Sequence, residues 1–169
     1  KARATELLTR FDLEEAAVRV EARDELLAAL ESQSKALIFQ SNAVPLDVRA
    51  RAALRLTRFA GLGLNTAFFI STGAEANENA LKLALRITGR RKVVAIEGSF
   101  HGRTAAAGAV TWGAVKKWYG FPQAPFDVEF VPRGDFAAID RFIGTDTAAV
   151  IVEPVQGVGG ALDLGEPFL

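Results

Sequence analysis

Apolar and polar positions follow two different periods along this chain. Between residues 12 and 31, Ala, Leu, Glu and Arg dominate. Leu26, Leu27 and Leu30 fall at helical spacing, and Glu21 and Glu25 lie four residues apart, which predicts an amphipathic helix. Ser32-Gln33-Ser34 and Ser41-Asn42 read as loops. A second helix is predicted over Asp47 to Ala60, where Val48, Leu54 and Leu56 sit among arginines and Gly61 and Gly63 mark the end. The texture then changes to short, mostly apolar runs: Ala67 to Ile70, Val93 to Ile96, Val128 to Val131, and Ala148 to Val152. Runs of this length, bounded by turn residues, suit strands buried on both faces of a parallel sheet. Helical patterns separate them, Ala74 to Ile87 stopped by Thr88-Gly89, and Asp135 to Ile143 stopped by Gly144. Strand and helix in alternation predict an α/β domain with a parallel sheet.

Composition narrows the chemistry. The 169 residues are half apolar and 24% charged, as in an ordinary globular protein. Twenty basic and twenty acidic side chains cancel, which gives no electrostatic reason to expect nucleic acid or an anionic membrane as a partner. No apolar run approaches the ~18 residues that a membrane helix needs. The sequence has no Cys and a single His, so disulfides, thiolate chemistry and multi-histidine metal sites are excluded from it. No secretory signal is visible, and the expected compartment is the cytoplasm. The sequence begins at Lys1 and contains no Met, so it is expected to be a portion of a longer chain, or a chain with segments missing. Residues 1–45 are read as an N-terminal helical segment and residues 46–169 as the start of the main domain.

In an open parallel sheet, ligands bind beyond the carboxyl ends of the strands. Three connections there carry chemistry. The first is Ser71-Thr72-Gly73-Ala74-Glu75-Ala76-Asn77-Glu78, a small-residue turn that opens a helix. The first N–H groups of a helix lack internal partners and sit at the positive end of its dipole, so a phosphate fits there. A capped helix, with Thr72 as N-cap and Glu75 as a first-turn anion, explains the same residues. The second is Glu97-Gly98-Ser99-Phe100-His101-Gly102-Arg103-Thr104. Phe100 offers a flat face to a planar ligand, and Arg103 a fork for a carboxylate. A core Phe, a turn His and a surface Arg explain it equally. The third is Glu153-Pro154-Val155-Gln156-Gly157, an acid directly after an apolar strand. It is placed to meet a ligand or a cation, or is simply a solvated loop acid.

Taken together, in this order, these segments resemble the class III aminotransferases, which use pyridoxal phosphate on the aspartate-aminotransferase (PLP fold type I) fold. Ser71 to Glu78, Phe100 to Thr104 and Ala148 to Gly157 carry the resemblance, and acetylornithine aminotransferases are among the members most like it. It implies that residues 46–169 are the first part of the PLP-binding large domain. It implies that Gly73 and Ala74 give backbone N–H groups to the cofactor phosphate, helped by Thr72. Phe100 stacks on the pyridine ring, Glu153 orders the cofactor's polar surroundings, and Arg103 binds a substrate carboxylate. His101 is read as structural. The resemblance also implies a homodimer, small amino-acid and 2-oxo-acid substrates, and transfer of an amino group from an acylornithine-like or other ω-amino acid to 2-oxoglutarate.

Two features depart from the family pattern. The Schiff-base lysine and the acid facing the pyridine nitrogen come later in family members than Gly160. None of the lysines here stands in the matching context, so that lysine is expected beyond Leu169, and a polypeptide ending there is expected to be inactive. Members acting on ornithine-like substrates often carry Glu where this chain has Val158, which leaves the exact substrate open. Other PLP chemistry on the same fold (an aminomutase, racemase or decarboxylase) and a non-catalytic cofactor-binding piece are the alternatives. Product analysis with and without 2-oxoglutarate separates them.

Overall fold

The computed structural model describes residues 13–41, 43–118 and 120–169, with side chains from residue 22 onward. Asn42 of the second predicted loop, and Asp12 at the start of the first predicted helix, lie outside the described residues. The chain divides into two compact units, one ending at Phe68 and the other running from Phe69 to Leu169.

The first unit contains α1 (Leu13–Ala36) and α2 (Asp47–Ala60). Helix α1 runs straight through Ser32-Gln33-Ser34, where the composition predicts a loop. The hydroxyl of Ser34 bonds back to the Glu31 carbonyl and Lys35 pairs with Glu31, so the polar residues continue the helix rather than break it. The amphipathic pattern expected here is absent: apolar residues do not gather on one face of the helix, and Leu26, Leu27 and Leu30 are exposed at 59%, 55% and 58%. Helix α2 has the predicted bounds. Its C-cap, Gly61, has φ 64°, a conformation that favours glycine, and donates its N–H to the Thr57 carbonyl.

The run Ala67 to Ile70, predicted as a strand, is not one. It pairs with no described strand and straddles the division between the units. A strand exists only through its ladder, and apolar composition cannot supply a partner.

The second unit is built on a three-stranded parallel sheet in the order β2-β1-β3, with β1 (Lys92–Ile96), β2 (Asp127–Val131) and β3 (Thr147–Ile151). The central strand β1 has Val93, Val94 and Ala95 fully buried and Ile96 3% exposed. Alternate side chains enter two cores. Val93 and Ala95 pack with Leu81, Ala106, Val110 and Phe126; Val94 and Ile96 pack with Val131, Ala138 and Phe168. Each fully buried Val or Ile side chain contributes about 1.5–3 kcal/mol. Strands β2 and β3 are the sheet edges and are only partly buried, contrary to the expectation of burial on both faces for all the runs. Helix α3 (Gly73–Thr88) serves the first core and α6 (Phe136–Phe142) the second. Gly89 closes α3 with φ 66°, and the Asp135 carboxylate caps α6 by accepting from the Ala138 N–H at 3.0 Å. Two short helices, α4 (Ala105–Ala109) and α5 (Ala114–Lys117), and a two-stranded antiparallel hairpin of β4 (Val155–Gln156) and β5 (Leu162–Asp163), complete the unit without a counterpart in the sequence reading. No described helix is long and apolar enough to cross a membrane.

Candidate functional site

The parallel register sets the site. Ala95 of β1 lies opposite Ile151 of β3 and Phe130 of β2, so all three strands deliver their following loops to one edge of the sheet. There Arg133, after β2, donates to the Gln156 side chain at 3.3 Å, and the fully buried Gln156 donates to the Glu97 carbonyl at 2.9 Å.

The turn before α3 forms a complete capping box. Thr72 has an extended backbone, and its hydroxyl accepts from the Glu75 N–H at 3.1 Å. The Glu75 carboxylate turns back to accept from Ser71 and Thr72 N–H at 2.9 and 3.1 Å. The Ala76 N–H bonds the Thr72 carbonyl within the helix. Two donors of the first turn remain without a hydrogen bond among the described residues, those of Gly73 and Ala74. A Cβ placed on Gly73 would meet no atom within 4 Å, and Gly73 and Ala74 both line an open cavity. The capped-helix reading and the anion-cradle reading of this turn therefore hold together, because the cap uses other groups.

The Phe100 to Thr104 loop is tied down at nearly every residue. The Phe100 N–H donates to the Glu153 carboxylate at 2.6 Å. The His101 N–H donates to the Thr111 hydroxyl, and the His101 carbonyl accepts from the Asn77 amide at 2.7 Å. Gly102 has φ 136°, and a Cβ there would fall 2.6 Å from the Ala74 Cβ. This close approach joins the loop to the first turn of α3, and only glycine permits it. The Phe100 ring meets the Trp118 ring edge to face at 5.1 Å. The side chain of Arg103 is exposed and makes no hydrogen bond or ion pair among the described residues.

Thr72, Gly73, Ala74, Phe100 and Arg103 thus line one cavity of about 600 Å³, with Asn77, His101, Gly102 and Thr104. Glu153 is held apart from that lining: its carboxylate is committed to the main chain of Phe100 and, at 3.4 Å, to the Gly157 N–H. A second cavity, of about 520 Å³ around Trp112, Phe121 and Phe130, contains none of these residues.

His101 is 5% exposed, and its Nε2 is buried without a partner among the described residues. Burial lowers its pKa, against the opposing pull of the Glu153 charge, and the ring is neutral near pH 7. Asn77, Glu78, Gly102 and Thr111 were not singled out from sequence. Asn77 and Glu78 lie inside the first motif, and their spacing along α3 was the available signal. Thr111 offered none.

Comparison with known proteins identifies the family. The family model described as Aminotransferase class-III matches residues 21–169. The chain belongs to the class III aminotransferases. It is 43% identical over 146 residues to the acetylornithine aminotransferase of Methanopyrus kandleri, a match covering 85% of this chain and 37% of that protein. It is 46% identical over 105 residues to the acetylornithine aminotransferase of Corynebacterium efficiens, covering 60% and 26%. Among solved structures it resembles the ornithine aminotransferase of Toxoplasma gondii ME49, with a TM-score of 0.73, 26% identity, and 84% of this chain and 35% of that one covered. It also resembles the taurine:2-oxoglutarate aminotransferase of Bifidobacterium kashiwanohense in complex with PLP and glutamate, with a TM-score of 0.66, 25% identity, and 79% and 35% covered. This class III aminotransferase chain therefore spans little more than a third of the Methanopyrus relative's length. The α/β parallel-sheet fold expected from the sequence is the fold of these transaminases.

Proposed function

We propose that this chain supplies the phosphate-binding and ring-stacking half of the site of a PLP-dependent aminotransferase. The enzyme acts between an acylornithine-like or other ω-amino-acid donor and 2-oxoglutarate. The observation that carries the reading is the pair of N–H groups on Gly73 and Ala74, unpartnered among the described residues, in the lining of the same cavity as Phe100 and Arg103. Those donors suit a dianionic phosphate at a helix N-terminus. Thr72 keeps its hydroxyl proton available, since its oxygen only accepts in the cap. Phe100 lends a ring face, held in place by Glu153 at its N–H, so Glu153 orders the cofactor's surroundings through Phe100. Bound PLP would act as an electron sink for amino-group transfer. The protein's part here is to hold that group, to exclude water from its ring face, and to fix the substrate through Arg103.

The Schiff-base lysine belongs to another part of the protein. Lys82 is exposed and lies 3.9 Å from Glu78, and Lys92 is paired with Asp146 at 2.8 Å. The acetylornithine aminotransferases among the relatives support the donor class, and the taurine:2-oxoglutarate enzyme among the structural neighbours supports the acceptor. A homodimer, which the family resemblance implies, completes the reading, with the cytoplasm as the expected compartment.

Arg103→Leu in the full-length, cofactor-loaded protein tests it. Losing a charge-assisted bond of about 1.5–3 kcal/mol raises KM for the carboxylate substrate roughly 10- to 150-fold. PLP affinity stays unchanged. A variant that loses PLP affinity while keeping its substrate KM overturns the role.

A further inference from the structure

Among the described residues Arg103 has no partner of its own, yet the chain immediately after it is gripped from another element. The Thr104 hydroxyl donates to the Glu78 carboxylate of α3 at 2.6 Å. The same oxygen, Oε2, accepts the Ala106 N–H at 2.8 Å and the Ala107 N–H at 3.2 Å. Thr104 is the N-cap residue of α4, but its side chain makes no cap bond. Glu78, from 26 residues upstream, takes over that duty. Its side chain is only 16% exposed. Burial raises its pKa, but the bonds from Thr104, Ala107 and Ala106 and the charge of Lys82 outweigh burial and lower it. The carboxylate is therefore ionised at neutral pH, with three donors converging on its Oε2.

We infer that Glu78, acting through Thr104, is a positioning residue for Arg103 and so sets how the enzyme selects a carboxylate-bearing substrate. The inference rests on the proposed role of Arg103. One side of Arg103 is fixed by the Gly102 contact with Ala74, and the other by Glu78 on Thr104. Both clamps stand on α3, the helix whose first turn carries the proposed phosphate donors. The cofactor phosphate and the substrate carboxylate are thereby referred to one rigid element, which holds the distance between the two anions. A flexible arginine at the end of an untethered loop does not discriminate in this way.

The test uses the full-length, PLP-loaded protein and two substrates, N-acetylornithine and N-acetylputrescine, the same amine without its carboxylate. Thr104→Val and Glu78→Ala are expected to raise KM for N-acetylornithine about 10- to 100-fold. With Glu78→Ala, the kinetics with N-acetylputrescine and the PLP affinity stay unchanged. Glu78→Gln is expected to restore selectivity, because an amide oxygen accepts the three bonds that converge on Oε2. If Arg103→Leu abolishes the discrimination while Thr104→Val and Glu78→Ala keep it, the inference is overturned and the role of Arg103 stands. If Arg103→Leu keeps the discrimination, the underlying reading fails as well. If both substrates suffer equally, Glu78 is merely structural and the inference is wrong. Should Glu78→Ala fail to fold, Thr104→Val, which loses a single bond, decides the matter.

Discussion

Replacing Gly73 by proline separates the helix from its proposed ligand. Gly73 is the first residue of α3, and its N–H makes no hydrogen bond among the described residues. Proline is favoured at this helical position because the donor it lacks is not used by the helix. Thr72, the preceding residue, has φ −142° and ψ 157°, the extended conformation that a residue before proline requires. A Cβ on residue 73 meets nothing within 4 Å. Gly73→Pro is therefore expected to leave folding intact and to stabilise it by about 0.4–1 kcal/mol, by restricting the unfolded chain. It removes one of two backbone donors to a dianion. A hydrogen bond to a charged group contributes about 1.5–3 kcal/mol, so the Kd for PLP is expected to rise roughly 10- to 150-fold. The assay is titration of the full-length apoprotein with PLP and, in parallel, with pyridoxal, which lacks the phosphate. Urea unfolding of the same samples reports stability. Pyridoxal binding should not change. Unaltered PLP affinity in a folded Gly73→Pro protein would refute the phosphate assignment, as would equal losses for PLP and pyridoxal.

Gly102→Ala forces a Cβ to 2.6 Å from the Ala74 Cβ at φ 136°, adding overpacking and backbone strain of about 1–3 kcal/mol each. A loss of roughly 2–6 kcal/mol in urea unfolding is expected, with weaker PLP binding, whereas Gly157→Ala, whose Cβ has open space, should shift stability by less than about 0.5 kcal/mol. A Gly102→Ala protein as stable as the parent would show that the two loops are not clamped there. The depressed pKa of buried His101 means that the unfolded chain binds a proton that the folded one refuses. Stability is then full above the ordinary pKa of about 6.5 and falls below it, by at most about 1.4 kcal/mol per pH unit, until the folded-state pKa is reached. Unfolding curves at pH 7.5 and 5.5 for the parent and His101→Gln check this, and an identical pH slope in both would count against it.

Much of the local structure was legible because its causes are local. Thr72 and Glu75 stand three residues apart and close their capping box within one turn. Gly89 ends α3 by a left-handed conformation that glycine adopts freely. The alternation of apolar runs and helices fixed the α/β class, and β1, β2 and β3 fall where the runs predicted. The errors share a cause as well. Ala67 to Ile70 has a strand's composition but no partner, and Ser32 to Ser34 has a loop's composition inside a helix with favourable i,i+4 contacts. Propensity is a weak prior when pairing or neighbouring turns decide.

The residues of the candidate site were named from short motifs, but their mutual arrangement depends on the sheet. Glu153 reaches Phe100 across 53 residues and Asn77 reaches His101 across 24. Those meetings follow from the parallel register of β1 with β3 and from the packing of α3 against the core under β1. Sequence by itself determined the helix caps, the glycine turns, the alternation of elements, and which residue types were available for phosphate, ring and carboxylate. Tertiary structure alone decided that Glu153 serves the main chain of Phe100, that Glu78 caps a helix other than its own, and that Gly102 must be glycine because Ala74 lies against it. The first set arises from interactions within a few residues, whose energies the local sequence specifies. The second depends on which distant segments are brought into van der Waals range, and only the closed sheet with its packed helices specifies that.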